Sequence, residues 1–142
     1  MREGLAAWRA TGSKFHVPYR LARAAEAHLI AGEIEGGLRL IGEAADQTDD
    51  CWFRPEVHRL KAELLLKAGR RGEAKKCLGQ ALETAREQGA RLLELRTAMS
   101  VSRLLRAEGR PDEAHSLLAP HYAWFTEGLD TPDLEEAKAL LE

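Results

Sequence analysis

Along residues 56–90, leucine and alanine recur three and four positions apart, and this helical rhythm breaks once, at Ala68-Gly69-Arg70-Arg71-Gly72. Matching breaks stand at Ala31-Gly32-Glu33-Ile34-Glu35-Gly36-Gly37 and at Glu108-Gly109-Arg110-Pro111-Asp112-Glu113-Ala114, so the turn glycines are 37 and then 40 residues apart. After each break small and apolar residues return at offsets of 0, +3, +4 and +7, which is one helical face. They are Gly37, Leu40, Ile41 and Ala44, then Ala74, Cys77, Leu78 and Ala81, then Ala114, Leu117, Leu118 and the divergent His121. Seven residues before each glycine stand Ala25, Ala62 and Ser102, small enough to let two helices approach closely.

Glycine tolerates the left-handed conformation just beyond a helix C-terminus, so each break reads as the turn of a helical hairpin. The pattern predicts a helix over 2–11, helix pairs over 17–31 and 34–48, 53–68 and 71–88, and 91–108 and 111–127, and a last helix over 132–141. Thr131 is placed to cap that helix, with Pro132 in its first position and Asp133 and Glu135 at the positive end of its dipole. The expectation is one all-α domain over residues 1–142, with hairpins over about 17–48, 53–88 and 91–127 and a capping helix over 132–141.

These features resemble the tetratricopeptide repeat (TPR), whose period is about 34 residues, with a small residue eighth, glycine at the turn and alanines on the second helix. The resemblance implies a TPR-like alpha-alpha superhelix of about three hairpins. The chain departs from the family in its longer periods, in Gly37 where alanine is usual, and in Leu21 and His58 where tryptophan is common.

A narrower likeness lies in "EVHRLKAELLL" (56–66) and "ELRTAMSVSRLLRAEGRPDEAHSLLAPHYAWFTEGLDTPDLEEAKALL" (94–141). These segments resemble the C-terminal end of large bacterial regulators, in which an ATPase module precedes helical repeats. The N-terminal domain of those proteins is a class III adenylate or guanylate cyclase or a winged-helix domain. The sequence contains no Gly-x-x-x-x-Gly-Lys-Ser/Thr and nothing identifiable as a cyclase domain, so no nucleotide or metal residues carry over. "MREGLAAWRATG" reads like the second helix of an earlier hairpin.

Composition supports the helical class: alanine and leucine dominate, while valine, isoleucine and threonine together number 12. The net charge of −2 supplies no positive field for phosphates or lipid headgroups, so neither nucleic acid nor membrane is an expected partner. Apolar runs such as Leu64-Leu65-Leu66 fall far short of the roughly 20 residues that span a bilayer, and the expected location is cytoplasmic. Cys51 and Cys77 read as free thiols, Cys77 as a core residue.

The expected function is protein–protein interaction, as a scaffold that binds a protein or peptide segment on its concave face. The alternative is a regulatory or sensing tail for signal transduction in a multidomain ATPase or nucleotide cyclase. Repeat register places Tyr19, Glu26, Arg59, Glu63, Arg96, Met99, Arg103 and Arg106 in the candidate groove. Arg96, Arg103 and Arg106 can grip a carboxylate-rich peptide through paired donors, or pair with Glu63, Glu94 or a neighbouring acid and only solvate the surface. TPR domains that hold chaperone C-termini use lysine, asparagine and arginine at fixed positions. This chain has no asparagine, and Ala22 and Leu60 fill two of the clamp positions.

The basic cluster Lys67, Arg70, Arg71, Lys75 and Lys76 contrasts with residues 112–142, where eight acids face one lysine. That asymmetry fits self-association, or the simpler pairing of cations with a helix C-terminus and an acidic solubilising cap. Tyr122, Trp124 and Phe125 either anchor the last helix or form a docking patch, and Pro120 should kink or tighten its helix. His115 and His121 lie on different helical faces, and His28 and His58 replace apolar repeat residues, so no metal site is expected. Ser13, Ser100, Ser102 and Ser116 lie in no nucleophile turn; no catalytic residue or cofactor is expected, and the chain reads as a non-enzyme.

Overall fold

The computed structural model describes residues 3–4, 17–47 and 51–142. It is all-helical there, with seven helices: α1 (Val17–Ala31), α2 (Ile34–Ala45), α3 (Arg54–Lys67), α4 (Arg71–Gln88), α5 (Arg91–Ala107), α6 (Pro111–Ala123) and α7 (Pro132–Leu141). Apart from residues 3–4, the helix expected over 2–11 lies outside the described residues. No described helix is long and apolar enough to cross a membrane.

Three turns repeat the same backbone geometry. Gly32, Gly69 and Gly109 adopt φ of 77°, 78° and 76°, a left-handed conformation that any side chain would strain. The amide after each glycine reaches back five residues, Glu33 to His28, Arg70 to Leu65 and Arg110 to Leu105, at 2.9, 2.8 and 2.9 Å. Each glycine amide reaches back three, to Leu29, Leu66 and Arg106. This paired pattern is the Schellman closure of a helix. In the second and third turns a bidentate Arg–Glu pair clasps the next helix start, Arg70 on Glu73 and Arg110 on Glu113. Gly89, with φ of 65°, closes α4 identically, Ala90 donating to Ala85 at 2.9 Å.

Burial follows the repeat. Ala25, Ala62 and Ser102 are wholly inaccessible, as are Ala74 and Ala114, and Ile41, Leu78 and Leu118 are buried at the matching later position. Gly37 departs from alanine for a steric reason. A Cβ there would lie 2.6 Å from Leu64 Cδ2 and 3.4 Å from the Ala25 carbonyl oxygen and from His28 Cβ. The His28 ring sits over Gly36, and its Nδ1 lies 2.8 Å from Glu33 Oε2.

The chain forms two compact units, Met1–Ala81 and Leu82–Glu142, the division falling within α4. In the first, α1 packs on α2 and both pack on α3. Its core contains Leu21, Ala25, Ile41, Val57, Leu60 and Leu64, each leucine-sized side chain contributing about 1.5–3 kcal/mol on burial. In the second, α5 packs on α6, and α7 packs on both. Leu95, Ala98, Met99, Leu118, Leu134 and Ala137 form that core, with Tyr122 and Phe125 packed against it.

Thr131 occupies the N-cap position of α7 in an extended conformation, but its side chain makes no capping hydrogen bond. Two helices end three and four residues earlier than the periodicity predicts, at Ala45 rather than 48 and at Ala123 rather than 127. The exposed Asp46-Gln47 pair closes α2, and in α6 Pro120 removes a backbone donor just before the chain turns. Cys51 and Cys77 are free thiols, and burial pushes the Cys77 thiol up.

Candidate functional site

The eight groove candidates divide between the two units. In the first, helical periodicity puts Glu56, Arg59 and Glu63 on one side of α3. Arg59 grips Glu56 with two donors, Nε to Oε2 at 2.9 Å and Nη2 to Oε1 at 2.6 Å, and Nη1 lies 3.8 Å from Glu63 Oε1. Burial alone would lower the Arg59 pKa, yet Glu56, Glu63 and Glu26 together hold it above the ordinary value. Glu26, Arg59 and Glu63 therefore share one electrostatic neighbourhood. Glu26 also accepts from Arg23 one turn earlier. Tyr19 is separate in character, stacked 6.3 Å from Trp52 and edge-on to Phe53 at 4.9 Å, with Trp52 more than half exposed.

In the second unit the four α5 candidates meet α7. Arg96 lays its guanidinium along both carboxylate oxygens of Asp133, at 3.0 to 3.2 Å. Arg103 donates to Glu136, and Arg106 to the Leu140 carbonyl. Met99 is 3% exposed and packs with Leu134 and Ala137, so this candidate is a core residue covered by α7 rather than an open groove position. Arg96 and Arg103 thus meet the acids Asp133 and Glu136 of α7, while Glu63 pairs with Arg59 and Glu94 with Arg86 and Arg91.

Glu94 belongs to a cluster that the sequence did not reveal. Its side chain is 5% exposed, with Arg86 Nε at 3.4 Å, Arg91 Nη1 at 3.5 Å and His121 Nδ1 at 3.3 Å. Burial pushes the His121 pKa below its usual value despite Glu94, with Arg86 and Arg91 adding to the depression. The imidazole is then neutral near pH 7 and lies beside the carboxylate as a polar neighbour. Arg91 also lies 5.3 Å from the ring centroid of Trp124, which is 55% exposed. Thus Tyr122 and Phe125 join the core while Trp124 faces outward.

These groups line a cleft of about 410 Å³ together with Ser116, Leu117 and Pro120. Ser116 precedes His121 by five residues on α6, about 140° round the helix, so the two are not placed as nucleophile and base. His58 is half-buried beside Arg54 and Lys61; desolvation foremost, then those cations, lowers its pKa, and its buried Nε2 has no hydrogen-bond partner. Among the described residues no group of three histidine, cysteine or acidic side chains could hold a metal ion.

The chain was compared with protein-family models, curated proteins and solved structures, and nothing matches in any of the three.

Proposed function

We propose that this chain is a TPR-like protein-interaction module that recognises a protein or peptide segment and has no catalysis of its own, as a free adaptor or within a larger regulator. The observation that carries the reading is the α5 face. Its arginines are arranged to bind an acidic helix through side-chain carboxylates and a terminal carbonyl, and α7 supplies all three acceptors. Repeated Schellman turns and repeated buried small residues support the TPR-like assignment, because a solenoid reuses the same turn and the same close-packing position in each repeat.

A photo-crosslinking residue tests the binding face. Placed at Tyr19 or Glu63 it should form adducts with a partner in a source-cell lysate, whereas at Lys75 or His115 on the second helices it should not. A crosslinker at Leu92, exposed one turn before Arg96 on α5, should form adducts as well, and charge reversal of Arg96, Arg103 and Arg106 should diminish those. Unchanged yield after that reversal, or adducts only from the second helices, would refute the proposal.

A further inference from the structure

Arg96, Arg103 and Arg106 stand seven and three residues apart on α5, and their acceptors Asp133, Glu136 and Leu140 stand three and four apart on α7. Both spacings follow one face of a helix. The pairs also ascend together, 96 with 133, 103 with 136 and 106 with 140, so α7 runs parallel to α5. Between the ionic contacts, Leu134 and Ala137 drop into the cluster formed by Leu95, Ala98 and Met99. The face of α5 thus reads a defined ligand: an amphipathic helix with carboxylates three residues apart, an apolar stripe beside them and an accessible C-terminal carbonyl.

The hold on α7 is limited. The helix has 10 residues, of which Leu134 and Ala137 are buried, and it joins α6 through residues 124–131, all exposed except the half-buried Phe125. Isolated helices shorter than about 12 residues are marginal in water, so α7 keeps its form only while docked. Its ion pairs are partly open to solvent, with Arg96 and Asp133 side chains 32% and 26% exposed and Arg103 and Glu136 39% and 54%. Such pairs are screened by salt and readily exchanged.

We infer that α7 is an internal stand-in for the partner, and that the α5 face takes an acidic amphipathic helix from another protein once α7 is displaced. This rests on the interaction-module reading and adds the chemistry of the partner and a self-limiting control: occupancy by α7 lowers the apparent affinity for any competing helix in proportion to the closed population. Charge complementarity favours this occupant, since the segment from 112 to 142 that supplies the stand-in carries eight acids and one lysine.

The test uses the full chain and a fluorescein-labelled peptide of residues 130–142. In the variant Asp133→Lys/Glu136→Lys, α7 is repelled by the arginines and the face opens. Peptide anisotropy should then report binding at least about tenfold tighter than to the wild-type chain. Adding Arg96→Glu/Arg103→Glu should remove that binding, and a peptide of the same composition with its acids scrambled should not bind.

Circular dichroism checks that the helical signal is kept. If it is lost, Asp133→Asn/Glu136→Gln removes the attraction without adding repulsion and is measured in the same way. A folded variant of either kind that takes up the peptide no better than wild type overturns the inference. Light scattering of the wild-type chain at rising concentration identifies the occupant: a dimer that Arg96→Glu/Arg103→Glu returns to monomer would replace the foreign helix by α7 of a second copy and overturn the choice of partner. Failure of peptide capture with the crosslinks at Tyr19 and Glu63 intact would refute displacement alone. Peptide capture without any crosslinked partner would refute the broader interaction reading instead.

Discussion

Aligned on their turn glycines, α3 and α5 carry opposite charge at the same two positions. Glu56 and Glu63 stand thirteen and six residues before Gly69, and Arg96 and Arg103 stand thirteen and six before Gly109. Between them, at the tenth position before the glycine, α3 has Arg59 and α5 has Met99. In α3 the arginine is flanked by acids of its own helix, with its side chain 14% exposed. In α5 the arginines depend on acids 33 and 37 residues downstream. One register thus yields two different surfaces, one on α3 whose arginine is held by acids of its own helix and one on α5 that pairs with a second helix.

The largest expected effect tests that contrast directly. Arg59→Met leaves Glu56, itself 4% exposed, without its bidentate partner. Breaking such a buried pair should cost roughly 2–4 kcal/mol in urea unfolding. Arg96→Met, at a partly exposed pair, should cost less than about 1 kcal/mol. Equal losses would mean that the Asp133 contact is as integral to the fold as the α3 pair, and would break the comparison.

A smaller effect of opposite sign is expected at Ser102. Its Oγ is buried without a hydrogen-bond partner, whereas the equivalent repeat positions are Ala25 and Ala62. Ser102→Ala should therefore stabilise the protein by about 1 kcal/mol, since it removes a desolvated hydroxyl and improves helix propensity. A higher urea midpoint with an unchanged slope is the expected readout. A loss of stability would show that the hydroxyl is satisfied, as by a bound water.

The turns were the most legible part of the fold, because glycine beyond a helix end has a local cause and a local consequence. Gly32, Gly69 and Gly109 each close a helix in the expected way. Gly89 does the same, within the break between 88 and 91 that the periodicity predicts. The α5 arginines were legible as one face, since that needs only their spacing. Their acceptors were not, because Asp133 and Glu136 looked like dipole and solvation charges until α7 docked beside α5. Nor was Glu94: a glutamate in the first turn of a helix reads as exposed, and its burial requires Arg86 from α4 and His121 from α6. His121 appeared as a departure from the repeat and as a rejected metal ligand; in the fold it brings Nδ1 to 3.3 Å from that carboxylate.

Protonation of the histidines gives the smallest effect, and its sign follows from burial. His58 in the first unit and His121 in the second both have pKa values below the ordinary 6.5, desolvation being the main cause. The unfolded chain therefore binds protons more readily than the folded one in the interval below 6.5, so stability falls as pH is lowered there. Their contribution is fully present above about pH 6.5 and is lost as pH falls through the depressed values. The Glu73 and Glu113 carboxyls, held below the usual range by Arg70 and Arg110, titrate in a separate and more acidic window. Urea midpoints measured between about pH 7.5 and about pH 5.5 should thus drop for the wild type and drop less for His58→Gln and for His121→Gln. In His121 the opposing influence of Glu94 makes the outcome sharper, because Glu94→Gln should deepen the pH dependence by removing the one group that favours the imidazolium. A His121→Gln variant that retains the full wild-type dependence would show that the Glu94 cluster contributes nothing to the coupling between proton binding and folding.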